Sequence, residues 1–75
     1  MKKIRIKLRS PQDVEEFVNI ASAYEFDIDL VSGTAYIDAK SFLGVLTLGL
    51  KRELEVCSVA DDLNFRKRIQ KFAVA

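Results

Sequence analysis

Asp38-Ala39-Lys40-Ser41-Phe42-Leu43-Gly44-Val45-Leu46-Thr47-Leu48 is an apolar run with a serine at its head. Ser41 stands where an N-cap belongs, immediately before the helical run. The run carries more apolar residues than one buried stripe needs. At about 100° per residue, Phe42, Leu43 and Leu46 cluster on one side of the helix, and Val45 and Leu48 on another. A helix on a sheet buries one stripe, so one cluster is expected to stay at least partly exposed, and exposed apolar patches mark interaction sites. Gly44 and Gly49 lower helix propensity, and Gly49 is placed to end the helix as a C-cap.

The pattern extends to both sides of this run. In residues 2–8, Ile4, Ile6 and Leu8 alternate with Lys3, Arg5 and Lys7, the pattern of a half-buried strand. Ser10-Pro11 opens a helix, with Ser10 as N-cap and Pro11 at the first helical position. Asp13, Glu15 and Glu16 lie in its first turns, where the helix dipole favours acids. Val14, Phe17, Val18 and Ala21 make its apolar stripe, which runs to about Tyr24. Phe26, Ile28 and Leu30 alternate with Asp27 and Asp29 as a second strand. Ser32-Gly33 signals a turn into a third strand ending near Asp38. Beyond the central helix, residues 53–58 form a fourth strand with Leu54 and Val56 inward. A last helix runs from about Asp62 to Phe72 on a stripe of Phe65, Ile69 and Phe72. The order β-α-β-β-α-β-α indicates an α+β fold with helices on one face of a sheet. ACT-like, ferredoxin-like and HPr-like domains all give this string.

The chain has 75 residues, enough for a single core. Hydrophobic residues make up 49% and charged residues 31%, a globular and not a disordered composition. No apolar run approaches the roughly 20 residues that span a bilayer. The alternating start does not resemble a signal peptide. With one cysteine and no histidine, an internal disulfide, a Cys/His zinc site and His-dependent catalytic triads are excluded; the cytoplasm is the expected compartment. The charges are sorted along the chain. Lys2 to Arg9 are basic, Asp13 to Asp38 acidic, and Arg66, Lys67, Arg68 and Lys71 basic again. This sorting suits strands and helix ends that attract one another. Nucleic-acid binding would need aromatics exposed beside the cations, and Phe65 and Phe72 have core spacing. If the first and fourth strands are neighbours, the outward lysines and arginine face Glu53 and Glu55.

The central stretch resembles the helix-opening motif of HPr, the small phosphocarrier protein of the bacterial sugar phosphotransferase system. The family pattern is close to A-K-S-x-x-G-x-x-x-L, and Ala39, Lys40, Ser41, Gly44 and Leu48 match it. The ungapped stretch from Phe17 to Leu48, with Phe17-Val18 and Asp27-Ile28-Asp29-Leu30, fits the family, and so does the element order over nearly the whole chain. The resemblance implies one domain over residues 1–75. It would be an open-faced sandwich with a four-stranded antiparallel sheet and helices on one face.

The departure from the family matters as much. HPr carries its phosphoryl group on a histidine at the start of the first helix. Counted back from Phe17, that histidine falls on Ser10 and the nearby family arginine on Gln12. A serine phosphate ester does not hand its group on as a phosphoimidazole does. The expectation is a non-enzymatic regulatory or interaction protein that is not a competent phosphocarrier. In many HPr proteins the serine of the motif is phosphorylated by a dedicated kinase, which makes Ser41 the candidate phosphoacceptor. Lys40 beside it is placed to steer an anion. In the family the side equivalent to Leu43 and Leu46 contacts partners, so Lys40, Phe42, Leu43 and Leu46 form the candidate partner surface. The expected partners are proteins of the phosphotransferase system or its regulation, an HPr kinase among them. Nucleic acid and membrane are not expected, and the chain is expected to be a monomer or weak dimer. Cys57 reads as a small strand residue. Glu15/Glu16, Asp27/Asp29 and Asp61/Asp62 lack polar company for acid–base or metal chemistry, and no cofactor is expected. The competing reading is an ACT-like or ferredoxin-like ligand-sensing or interaction domain.

Overall fold

The computed structural model describes residues 3–74; Lys2, the first residue of the expected opening strand, lies outside them. The elements are β1 (Ile4–Lys7), α1 (Pro11–Ser22), β2 (Ile28–Ser32), β3 (Ala35–Asp38), α2 (Phe42–Leu48), β4 (Glu53–Ser58), α3 (Leu63–Arg68) and a 3-10 turn (Gln70–Phe72). The strands form one sheet in the order β1-β4-β2-β3, and all three pairings are antiparallel. A split β-α-β unit of the ferredoxin-like kind pairs parallel strands, so this topology sets that reading aside. β2 and β3 are joined by a two-residue loop between paired Ser32 and Ala35. Gly33 enters it at φ 61°, a conformation glycine adopts without steric cost.

The strand alternation sends Ile6, Ile28, Leu30, Leu54 and Val56 to one face. There they meet Val14, Phe17, Val18 and Ala21 of α1, Val45 and Leu48 of α2, and Phe65 of α3 in a single core. The other face is open and charged. Arg5 pairs with Glu55 and Lys7 with Glu53 across β1 and β4, and diagonal ion pairs join Lys3 to Glu55 at 4.0 Å and Arg5 to Glu53 at 3.9 Å. The first and fourth strands are neighbours, so the basic strand faces the acidic one. Exposed pairs of this kind contribute at most about 1 kcal/mol each.

Element ends differ from the sequence reading in four places. Leu8 is buried but lies beyond β1, and Phe26 lies before β2, in a three-ring cluster with Tyr24 and Phe65. α1 stops at Ser22, short of Tyr24. The last helix ends at Arg68 and tightens into the 3-10 turn. That turn sets Phe72 edge-on to Phe17, with ring centroids 6.0 Å apart. It also brings Ala73 to bridge Ile6, and the Val74 N–H donates to the Arg5 carbonyl at 3.0 Å.

Candidate functional site

The site residues lie where α2 leaves β3. Asp38 turns the chain: its carboxylate accepts from the Lys40 N–H at 2.9 Å, and its carbonyl accepts from the Ser41 N–H at 3.0 Å. Ala39 is completely buried. Ser41 is extended at φ −103°, and its Oγ accepts from the Gly44 N–H at 3.2 Å, so it is the N-cap that the sequence predicts. Gly44 sits where α2 packs against Ile37 of β3. A Cβ there would stand 2.9 Å from Ile37 Cγ2 and 3.0 Å from Ser41 Oγ. Leu48 is buried in the core, and Gly49 ends the helix at φ 97°.

Lys40 has a role that its place in the sequence does not announce. Its Nζ donates to the carbonyl of Tyr24 at 2.7 Å, just past the end of α1. A cation at a helix C-terminus is favoured by the dipole. Each motif residue thus contributes to the fold in its own way. Ala39 fills the core edge, Lys40 ties α1 to α2, Ser41 caps, Gly44 permits close approach, and Leu48 packs.

The two apolar clusters of α2 separate as the helical spacing requires. Val45 and Leu48 are core, while Leu43 is 74% and Phe42 38% exposed. Leu46 departs from its cluster, because it is half-buried and packs against the core. Phe42 lies in a shallow groove lined by Pro11, Gln12 and Glu15 of the first turns of α1. The groove brings Gln12 beside the partner-surface candidates. Ser10 is the α1 N-cap, accepting from the Asp13 N–H at 3.2 Å, and the Asp13 carboxylate accepts in return from the Arg9 N–H at 3.0 Å. Two features near the site escape sequence reasoning. Lys51 takes φ 65° and donates from its N–H to the Leu8 carbonyl at 2.8 Å, clasping the segment after α2 to the segment before α1. Leu50, beside it, is 37% exposed. A lysine in the left-handed region carries no sequence signature, unlike a glycine.

The remaining candidates are accounted for within the fold. Arg66 pairs with Asp61 at 3.2 Å, Lys71 pairs with Glu16, and Arg68 lies over the Tyr24 ring at 5.7 Å. The terminal basic run is thereby largely matched by its own chain. Cys57 is a free, half-buried strand residue opposite Asp29. Among the described residues, no three acidic or cysteine side chains gather as a metal site requires. No helix among them is long and apolar enough to cross a membrane.

The family model PTS-HPr, described as the PTS HPr component phosphorylation site, matches residues 12–73. The chain belongs to the HPr family. The match begins at Gln12, two residues past Ser10. No curated protein matches the chain in sequence. Among solved structures, the crystal structure of HPr-C-His from Thermoanaerobacter tengcongensis superposes with a TM-score of 0.78 at 20% identity, covering 95% of this chain and 89% of that one. At that identity the likeness establishes the fold, the HPr-like open-faced α+β sandwich.

Proposed function

We propose that this HPr-family chain does not relay phosphoryl groups. It serves in the cytoplasm as a non-enzymatic regulatory and interaction module of, or related to, the phosphoenolpyruvate-dependent sugar phosphotransferase system. The observation that carries this reading is the absence of histidine from the sequence; Ser10, where the count back from Phe17 puts the family's phosphohistidine, caps α1. The partner is a protein that docks on Phe42, Leu43 and Leu46, beside Lys40. The exposure of Leu43 and the groove between Phe42 and α1 support that surface.

Ser41 is the candidate switch. Its side chain is exposed at the head of α2 and next in sequence to Phe42. A phosphate there brings about 1.5–2 negative charges with its hydration shell. A partner covering Leu43 feels that charge directly, so docking changes without a change of fold. The decisive experiment incubates the protein with phosphoenolpyruvate and the general enzyme of the phosphotransferase system. No phosphorylation is expected; stoichiometric, acid-labile modification overturns the reading. Incubation with an HPr kinase, read by mass spectrometry, is expected to modify Ser41 alone, and a chain left unmodified makes Ser41 a cap and nothing more.

A further inference from the structure

The two edges of the sheet are treated differently. The outer edge of β1 is covered by the chain's own end, through the Ala73 bridge to Ile6 and the Val74 bond to Arg5. The outer edge of β3 is bare among the described residues. The Ala39 N–H donates to the Ile28 carbonyl at 2.9 Å, which sets the phase of the ladder. Hydrogen-bonded pairs then fall at Leu30/Ile37 and Ser32/Ala35, and the N–H and C=O of Tyr36 point away from the sheet. No turn or loop hydrogen bond among the described residues takes them up. β3 has no proline and no lysine to guard the edge, and the Tyr36 side chain is 69% exposed.

The charges beside this edge are also unmatched. On the open face Lys3 and Arg5 have acidic partners. Asp29 and Asp38 instead stand directly opposite each other across β2 and β3, and neither has a cation within salt-bridge reach among the described residues. Like charges in directly opposed positions destabilise a sheet. A cation from outside the chain would relieve them.

We infer that the β3 edge accepts an extended segment of a partner protein by strand addition, with its lysine or arginine side chains on the open face beside Tyr36 and Asp38 and its apolar side chains on the other face beside Ile37. The chain already uses this chemistry once, where basic β1 adds to acidic β4. A second copy suits the edge less well, because it would bring a second Asp38 to an acidic place. The surface adjoins the α2 patch through Asp38, whose carboxylate accepts from the Lys40 N–H, but it is the strand edge and not α2 that carries the inference, which does not rest on the proposed function.

The test titrates the isotope-labelled protein with a capped heptapeptide of alternating lysine and valine, followed by NMR. Shifts are expected at Thr34–Asp38 and Asp29, with binding weakened at least fivefold in the double variant Asp29→Asn/Asp38→Asn. The amide introduced by Asp38→Asn keeps an acceptor for the Lys40 N–H. Tyr36→Pro is expected to abolish binding, since proline is tolerated where an edge N–H faces solvent; should it unfold, the double asparagine variant still decides. The proposal is overturned by an absence of shifts at millimolar peptide, by shifts confined to β1 and β4, or by equal binding of a glutamate-valine peptide. Dimerisation of the free protein through Thr34–Asp38 also overturns it and assigns the edge to a second copy.

Discussion

Gly44 leaves no room for a methyl group: the Cβ of an alanine would stand 2.9 Å from Ile37 Cγ2. Alanine gains up to about 1 kcal/mol in helix propensity, but overpacking of this kind costs about 1–3 kcal/mol. Gly44→Ala is therefore expected to lower stability in urea unfolding, and Ile37→Ala to recover part of the loss in the double variant. Strict additivity of the two would mean that helix and strand do not meet there. Ser41 poses the complementary case. Ser41→Ala loses the cap bond to Gly44, worth about 0.5–2 kcal/mol, while Ser41→Asp keeps an acceptor and adds charge. Wild-type stability with weakened partner binding is the expected phenotype of Ser41→Asp; unchanged binding would leave the serine a capping role alone. The hydrogen bond from Lys40 to the Tyr24 carbonyl gives a second reason for the motif lysine, so loss of binding in Lys40→Ala must be read beside its stability.

At the scale of the element, α2 divides its apolar residues by depth. Leu43→Lys is expected to move stability by less than about 0.5 kcal/mol, whereas Leu48→Ala should cost about 2–5 kcal/mol. Thermal unfolding of the two variants checks the division; comparable losses would mean that Leu43 is also core. Leu46 belongs between them, because it packs on the core. The sequence makes most of this legible. Strand alternation in β1, the caps of α1 and α2, the burial of Val45 and Leu48 and the exposure of Phe42 and Leu43 follow from spacing and cap chemistry, which are local, while the packing of Leu46 on the core does not. What spacing does not carry is contact between distant segments: the Phe42 groove against α1, the clasp from Lys51 to Leu8, and the reach of Lys40 to the end of α1. The same limit explains the misplaced end of the last helix. Phe65, Ile69 and Phe72 keep helical spacing, yet the tail turns early to meet β1.

For the whole molecule, the closing of the β1 edge by Ala73 and Val74 should be measurable. A chain ended after Phe72 loses the bridge to Ile6 and the bond to Arg5, at about 0.5–1.5 kcal/mol for a typical hydrogen bond. Faster amide exchange in Ile4–Lys7 is the expected result, and unaltered exchange would make the tail a bystander. The strand order carries a further consequence, for the order in which the protein forms. β4 sits between β1 and β2, so the middle of the sheet is supplied by one of the last elements in the sequence. Of the three pairings, only the β2–β3 hairpin is local; β1 must wait for a partner some fifty residues downstream. Non-local pairing of this kind slows folding. Until residues 53–58 join the sheet, β1 and β2 have no common neighbour, and the apolar faces of the hairpin and α1 have no central strand to pack around. A substitution that slows the docking of β4 would therefore lengthen the time in which the unfinished sheet exposes its core to aggregation.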